Sequence, residues 1–156
     1  MSQRLEAFTL FSSSKGNSAL FRYGQECILI DAGVSARALN ASLQALGTSL
    51  YEIRAIFVTH EHSDHIRGAG VLARRLDLPI YATPGTWEGM RSAVGEVPAC
   101  RRIDITAGES FFLHGMEVCP FSIPHDANDP VGYRVFLRSA SVAVATDLGH
   151  FSAPVF

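Results

Sequence analysis

The chain has 156 residues, of which 47% are apolar and 18% are charged, and its formal net charge is −2. This balance excludes overall disorder and general affinity for polyanions, and the length fits one domain over residues 1–156. The three cysteines have no CxxC spacing, and we expect them to be reduced thiols. No apolar run is long enough for a membrane span and no signal peptide is visible, so we expect no membrane partner and a cytoplasmic location.

Short apolar runs alternate with a few helical stretches along the chain, which is typical of an α/β (α+β) protein. Three antiparallel strands are expected first, then a crossover helix to the strand before His60, and then further hairpins with turns at Gly115 and residues 139–141. Ser35 is expected to cap the first helix and Gly47 to end it. The predicted helices span residues 36–46, 65–76 and 86–94. The predicted strands span residues 5–11, 19–23, 26–30, 55–59, 80–82, 110–114, 117–123, 132–137 and 142–146.

The segment HEHSDH, from His60 to His65, places imidazoles and a carboxylate directly after an apolar run. Such side chains cost free energy when they are buried without hydrogen-bond partners, and protonated imidazoles repel one another. A divalent cation bound to these side chains removes both problems. The pattern therefore predicts a metal site. His60 and His62 can face one ion from an extended segment, while Asp64 and His65 point past the turn toward a second position. Glu61 is expected to orient a ligand or face solvent, and Ser63 to cap the following helix.

Additional ligands are required, because two side chains cannot hold zinc. His125, in SIPHDANDP, and Asp147, in VAVATDLGH, each follow an apolar strand, as His60 does. Strand ends that meet at one edge of a sheet predict that these side chains converge. Asp31, which closes ILIDAG, repeats the pattern; it is either a ligand or, as we favour, the acceptor of a hydrogen bond that orients a histidine.

These motifs resemble the metallo-β-lactamase superfamily, whose signature is HxHxDH followed by a later histidine and aspartate. FSSSKGNSALF, CILIDAGVSAR, IFVTHEHSDHIRGAGVLARRLDLPIYAT and PHDANDPVGYRV are similar to its YycJ/WalJ group, implicated as metal-dependent 5′ to 3′ DNA exonucleases. The resemblance implies a metallo-β-lactamase-type αβ/βα sandwich, with two sheets face to face and helices outside. It also implies a fold that is incomplete here, apparently truncated at the C-terminus, because the family's late histidine in a motif like GHLSN has no counterpart.

The resemblance assigns two divalent metal ions, Zn²⁺ or Mn²⁺, to six positions. His60, His62 and His125 would hold the first ion, Asp64 and His65 would contribute to the second, and Asp147 would bridge them. Two further histidines match no ligand position: His150 comes too soon after Asp147, and His114 is expected to face solvent beside a hairpin glycine.

The implied chemistry is hydrolysis of a phosphodiester in DNA by a metal-activated hydroxide, with Asp64 as the catalytic proton acceptor. The loop at residues 12–18, rich in small hydroxyl residues, is either a plain hairpin or a contact for phosphate or the metal ligands. Alternatives are a thioester, lactone or β-lactam hydrolase, and a catalytically incomplete metal-binding or interaction fragment. A small closed pocket would favour the first alternative, and an open groove flanked by Arg67, Arg74 and Arg75 would favour nucleic acid.

Overall fold

A computed structural model describes residues 4–137 and 140–149 of the chain. A six-stranded sheet packs face to face against a four-stranded sheet, and the helices cover the outer face of the larger sheet. Helices, first sheet and second sheet thus form three successive layers. The predicted α/β (α+β) class and the two facing sheets of the sandwich are confirmed. Within the described residues, the helices are all too short or too polar to cross a membrane.

The first sheet combines an antiparallel start with parallel strands. Its strands lie in chain order, with β1 to β3 antiparallel and each later strand parallel to its predecessor. The prediction of hairpins directly after the first crossover was therefore wrong, because two more helical crossovers precede the hairpins. The strands are β1 (Leu5–Ser13), β2 (Gly16–Tyr23), β3 (Glu26–Ile30), β4 (Ile53–Phe57), β5 (Ile80–Ala82) and β6 (Arg102–Asp104).

Strand β6 was not predicted. It has three residues, and Arg102 and Asp104 are exposed, so it carries almost none of the apolar alternation that marks a strand. Only the pairing with β5 defines it. As the last strand in the sheet order, β6 leaves its outer edge free of any pairing strand among residues 4–137 and 140–149.

The helices are α1 (Ala36–Ala45), α2 (Ser63–Ile66), α3 (Ala69–Leu76) and α4 (Pro84–Val94), with short 3₁₀ turns at Leu50–Glu52 and Ala99–Arg101. The Ser35 hydroxyl accepts a hydrogen bond from the backbone N–H of Ala38, which confirms the predicted cap. Helix α4 begins earlier than predicted, because Thr83 caps it and Pro84 occupies its first turn, where a missing N–H costs nothing.

The single helix predicted over residues 65–76 was wrong, because the chain bends between α2 and α3 at Gly68. The N–H of Gly68 donates to the carbonyl of Ala32 at 2.7 Å rather than continuing a helix. A Cβ at this position would lie 2.2 Å from the carbonyl oxygen of Val34, so the loop after β3 needs glycine there. The apolar periodicity runs across the bend and hides it.

The second sheet is an antiparallel meander in the order β10-β9-β8-β7, and its first turn contains Gly115 with φ +81°, as predicted. Residues 138 and 139, in the last predicted turn, lie outside the described residues. The strands are β7 (Phe111–Leu113), β8 (Met116–Ser122), β9 (Val131–Leu137) and β10 (Ala140–Val144).

Two apolar cores flank the first sheet, because successive side chains of a strand point to opposite faces. In β3, Leu29 faces the helices, whereas Ile28 and Ile30 face the second sheet. Between the sheets, the ring of Phe57 stacks on Tyr81 at 4.6 Å and meets Tyr133 edge to face at 5.3 Å. This packing holds the loops at the carboxyl ends of the strands in fixed positions.

Candidate metal centre

The candidate site lies where the carboxyl ends of the parallel strands meet the loops of the second sheet. The N–H of Val131 donates to the carbonyl of Thr59 at 2.9 Å, and the Tyr133 hydroxyl donates to the carbonyl of Val58 at 2.7 Å, so the sheets are joined beside the motif. Loops after four strands, β3, β4, β8 and β10, deliver Asp31, His60, His125 and Asp147.

A first group of possible metal ligands comprises His60, His62 and His125, whose ring nitrogens lie within 4.8 Å of one another. Nε2 of His125 is 3.2 Å from Nδ1 of His62. Ligands bound tetrahedrally to zinc at ordinary Zn–N distances stand about 3.3 Å apart, so this spacing fits a shared ion. These are the three residues predicted to hold the first metal.

His60 has the clearest signature of a ligand in this group. Its side chain is fully buried, and Nε2 has no hydrogen-bond partner among the described residues. Burial, followed by the charges of neighbouring imidazoles, lowers the pKa of His60 to about 3. A neutral imidazole with a buried, unpaired nitrogen aimed at other ligand atoms fits a metal ion.

The other ring nitrogen of His60 is held by Thr59. The Thr59 hydroxyl donates to Oδ2 of Asp31 at 2.7 Å, so its oxygen is left to accept from Nδ1 of His60 at 2.9 Å. The tautomer inferred from this network carries its proton on Nδ1 and keeps the Nε2 lone pair for a metal. Sequence reasoning missed Thr59, although it directly precedes the motif.

A second group comprises His60, His65 and Asp147. Oδ2 of Asp147 is 2.8 Å from Nε2 of His65 and 3.8 Å from Nε2 of His60, the residue that both groups share. Oδ2 of Asp64 is 3.4 Å from Nε2 of His65. All six predicted ligands are therefore brought together, and their roles as ligands remain predictions.

Asp31 orients His65, a member of the second group, by a hydrogen bond to the ring nitrogen that faces away from Asp147. Its Oδ2 accepts a hydrogen bond from Nδ1 of His65 at 2.7 Å, and Oδ1 accepts from the backbone N–H of Thr59 at 2.8 Å. Burial raises the pKa of Asp31, and these hydrogen bonds oppose that shift by stabilising the carboxylate. Burial works against a charge on His65, but the hydrogen bond and charge of Asp31, with Asp64 and Asp147, raise the pKa of His65. The predicted orienting contact is present.

Glu61 connects the loop that carries His60 and His62 to the loop that carries His125. Its Oε1 accepts from the backbone N–H of Asn128 at 2.8 Å, and the Asn128 amide donates to the carbonyl of Gly85 at the start of α4. Glu61 therefore supports the segment that carries His125. The predicted cap by Ser63 was wrong: His62 occupies the cap position of α2, and no side chain caps this helix.

The loop at residues 12–18 closes the β1–β2 hairpin and contacts the ligands, which was one of its two expected roles. The Asn17 amide donates to Oδ2 of Asp64 at 3.0 Å and to the carbonyl of Ser13 at 2.8 Å. The Ser18 hydroxyl donates to the carbonyl of Asp31. Gly33 makes this approach possible, because a Cβ there would lie 1.6 Å from the carbonyl oxygen of Asp64.

Other candidates from the sequence lie away from this cluster. His114 is exposed in the β7–β8 turn, as predicted, with Nδ1 3.5 Å from a carboxylate oxygen of Glu26. His150 lies outside the described residues. Arg67 is exposed next to the motif, whereas Arg74 and Arg75 occupy the last turn of α3, where they line two different cavities.

Two facing sheets and a histidine-rich cluster at their loop edge define a metallo-β-lactamase fold with a candidate metal centre. The family described as "Beta-lactamase superfamily domain" matches residues 26–156, and the chain belongs to it. A metallo-β-lactamase from Cronobacter sakazakii is similar in fold, with a TM-score of 0.74 and 22% identity over 90% of this chain and 64% of that one.

Two curated relatives are more similar in sequence. "Exodeoxyribonuclease YycJ" of Bacillus anthracis is 36% identical over 92% of this chain and 54% of that protein. "Exodeoxyribonuclease WalJ" of Streptococcus pneumoniae is 33% identical over the same shares. The chain therefore spans about half the length of the curated relatives it matches.

Proposed function

We propose that the protein is a metal-dependent hydrolase that cleaves phosphodiester bonds in DNA, as a 5′ to 3′ exonuclease. The observation that carries the proposal is the convergence of two ligand groups that share His60, with its buried and unpartnered Nε2. The similarity to proteins named exodeoxyribonucleases supports DNA as the substrate. A cytoplasmic location is part of the same proposal.

The six residues divide between two divalent ions, Zn²⁺ or Mn²⁺. His60, His62 and His125 would hold the first, Asp64 and His65 would contribute to the second, and Asp147, near both His60 and His65, would be shared by both. Imidazole suits zinc, whereas the mixed second group also suits manganese. Such ions lower the pKa of bound water toward about 7 and polarise phosphoryl oxygens.

Asp64 is the proton acceptor in this proposal. Asn17 holds its Oδ2, and its partly exposed side chain stands beside His65 at the open face of the site. Water attacks phosphorus in line with the leaving oxygen, and Asp64 receives the proton that the attacking water loses. Asp31 and Thr59 keep the imidazoles of His65 and His60 in the orientation that this arrangement needs.

The test is degradation of 5′-labelled DNA by the protein after chelation and reloading with Mn²⁺ or Zn²⁺. We expect loss of the label as mononucleotides, abolished by His62→Ala and unchanged by His114→Ala, which removes a histidine outside the cluster. Intact DNA with both metals, or equal degradation by the His62→Ala variant, would overturn the proposal. Elemental analysis separates an inactive fragment from an enzyme, since about two ions per chain are expected.

Hydrolysis of a thioester, lactone or β-lactam is the second candidate, on the same metal ligands. The similarity to metallo-β-lactamases is one of fold, at 22% identity. Exposure of His62 and Asp147 supports a site open to a polymer rather than a closed pocket around a small substrate. Turnover of a chromogenic β-lactam or a thioester without degradation of DNA would favour this second candidate.

A further inference from the structure

A group of arginine side chains lies on the far side of α4 from the candidate metal centre. A cavity of about 720 Å³ opens between α4, the end of α3, residues 95–98 and β6. Its charged lining is dominated by Arg74, Arg91 and Arg102, from three different elements, with Trp87 at its base. The size falls within the range of sites that hold small ligands.

The three arginines have no carboxylate partner among the described residues. Elsewhere, Arg22, Arg54 and Arg101 each form an ion pair with an acidic side chain. In the cavity, Nη1 of Arg74 donates to two backbone carbonyls instead, those of Val94 and Glu96. The guanidinium of Arg102 lies 5.0 Å from the centre of the Trp87 ring. Two of the three guanidinium groups are thus held in place by contacts other than an ion pair.

Glu96 is the acidic residue in the lining, and it is exposed. Its backbone carbonyl, not its carboxylate, accepts the hydrogen bond from Arg74. Three guanidinium groups and one carboxylate line this cavity, so its own lining is net positive, while Glu88 and Asp104 line the adjoining cavity beside Arg91 and Arg102. A local cationic pocket in a weakly acidic protein is complementary to an anionic ligand.

Guanidinium groups bind phosphate oxygens through paired N–H donors, so the fitting anion is a phosphate group. Trp87 is only 4% exposed and Arg102 covers it, so its ring offers no free face on which a base can stack. The pocket therefore suits recognition of a phosphate backbone without reading base identity.

Helix α4 separates the two sites. Gly85 and Gly89 approach Asp129 and Glu61 near the metal centre, whereas Arg91 lines the cavity on another face. An α-helix with its side chains is about 10 Å across, so the two sites are at least that far apart. A ligand that reaches both must be longer than a single nucleotide.

We propose that the pocket of Arg74, Arg91 and Arg102 binds the phosphate backbone of a single DNA strand at a distance from the scissile bond, an inference that rests on the proposed nuclease function. The pocket adds affinity for a strand without base preference and gives long substrates an advantage over short ones. Its contribution does not depend on metal, because no residue of the cluster lines it.

The test is binding of 5′-fluorescein-labelled thymidine 20-mer in EDTA, followed by anisotropy at several salt concentrations. We expect Arg91→Gln/Arg102→Gln to bind about 10-fold more weakly, and its log K against log salt to have a slope shallower by about 1.4, from two lost phosphate contacts. The matched control Arg37→Gln/Arg134→Gln removes the same charge from exposed positions outside the pocket and should stay within about twofold of wild type.

Unchanged binding by the pocket variant, or an equal loss in the control, overturns the inference. Displacement of the 20-mer by thymidine monophosphate as effectively as by unlabelled 20-mer makes the occupant a mononucleotide and also overturns it. Arg91→Lys/Arg102→Lys, which keeps the charge, should lose less affinity than the glutamine variant. Binding is measured without metal, so the two proposals can fail separately. If the wild type cleaves DNA and the pocket variant binds the 20-mer as tightly as wild type does, only the pocket proposal is overturned. If the pocket variant binds the 20-mer more weakly but the wild type cleaves no DNA with Mn²⁺ or Zn²⁺, only the proposed nuclease function is overturned.

Discussion

Nδ1 of His65 lies 2.7 Å from Oδ2 of the buried Asp31, and Nε2 on the opposite side of the same ring lies 2.8 Å from Oδ2 of Asp147. The hydrogen bond from Nδ1 fixes the tautomer and aims Nε2 at the candidate second site. Asp31 itself has φ +62°, a conformation that is strained for a residue with a side chain. The burial of Asp31 and its hydrogen bond to His65 give it a positioning role that packing alone would not require.

Asp31→Asn should therefore weaken metal binding without removing a ligand. The amide is nearly isosteric but no longer supplies the anionic acceptor that orients His65, and loss of such a partner typically costs 10–100-fold in metal affinity. Calorimetric titration of the chelated protein with Zn²⁺ measures the change. Asp77→Asn, which alters an exposed aspartate paired with Arg101, serves as the control and should bind like wild type. Equal affinity of the Asp31→Asn variant would refute the positioning role.

Asn17→Ala should weaken the second metal position and spare the first. The Asn17 amide donates to Oδ2 of Asp64 at 3.0 Å, whereas its contacts do not include His62 or His125. We expect an affinity loss of about 10-fold in the weaker step of a two-step Zn²⁺ titration, by analogy with other supports of metal ligands. Gln44→Ala, on the exposed side of α1, is the control. A loss confined to the tighter step would contradict this assignment.

The sequence predicted which side chains would cluster because their residue types are informative by themselves. Imidazoles and carboxylates at the ends of apolar runs have few structural explanations, and parallel strands bring such ends to one edge. His60, His125 and Asp147 were identified in this way, and Asp31 was correctly expected to accept a hydrogen bond from a histidine.

The parts that escaped prediction depend on tertiary contacts. Thr59 and Asn128 are ordinary residues whose roles arise only once Asp31 lies beside Thr59 and Glu61 lies beside Asn128. The bend at Gly68 depends on the approach of the loop after β3, and β6 is defined only by pairing with β5. Local periodicity carries no signal of these contacts, because the partner in each case is distant in the chain.

Glu61→Ala should weaken the first metal position more than Glu61→Gln does. Oε1 of Glu61 accepts from the backbone N–H of Asn128 at 2.8 Å, and the loop so held carries His125. Glutamine keeps a carbonyl oxygen for this bond, whereas alanine removes it and frees the loop. We expect about 10-fold weaker Zn²⁺ binding for alanine and at most about threefold for glutamine. Equal effects of the two substitutions would show that the charge of Glu61, not its hydrogen bond, matters.

Gly33→Ala should damage both stability and the site, because the new Cβ would lie 1.6 Å from the carbonyl oxygen of Asp64 and 2.7 Å from the backbone nitrogen of Asn17. Both neighbours are backbone atoms of site loops, so relief requires the loops to move apart. Gly47→Ala is the matched control: nothing lies within 4 Å, but φ is +69°, so a cost of about 1 kcal/mol with normal metal binding is expected. Urea unfolding and Zn²⁺ titration measure the two effects. Normal Zn²⁺ affinity in the Gly33→Ala variant would contradict the close approach.

The buried His60 should make the metal-free protein sensitive to acid. Its folded pKa is lowered to about 3 by burial and then by neighbouring imidazole charges, while the unfolded value is 6.5, so between these pH values only the unfolded chain binds this proton. The free energy of unfolding therefore falls as pH drops below about 6.5. His65 acts in the opposite direction, because its folded pKa is raised, so its stabilisation is present below the unfolded value and lost as pH rises through the folded one.

Comparison with His60→Gln measures the contribution of His60 together with its charge coupling to His65, which both proteins retain. Between pH 7 and pH 4.5 in EDTA, we expect wild type to lose roughly 2.5 kcal/mol more unfolding free energy than the variant, because each pH unit below 6.5 costs about 1.36 kcal/mol. Urea unfolding followed by circular dichroism at the two pH values gives the difference. Equal losses of unfolding free energy in both proteins would mean that the folded state accommodates a proton on His60. The proposed metal centre depends on a neutral, buried His60 whose Nε2 is available to a metal, so this result would contradict it.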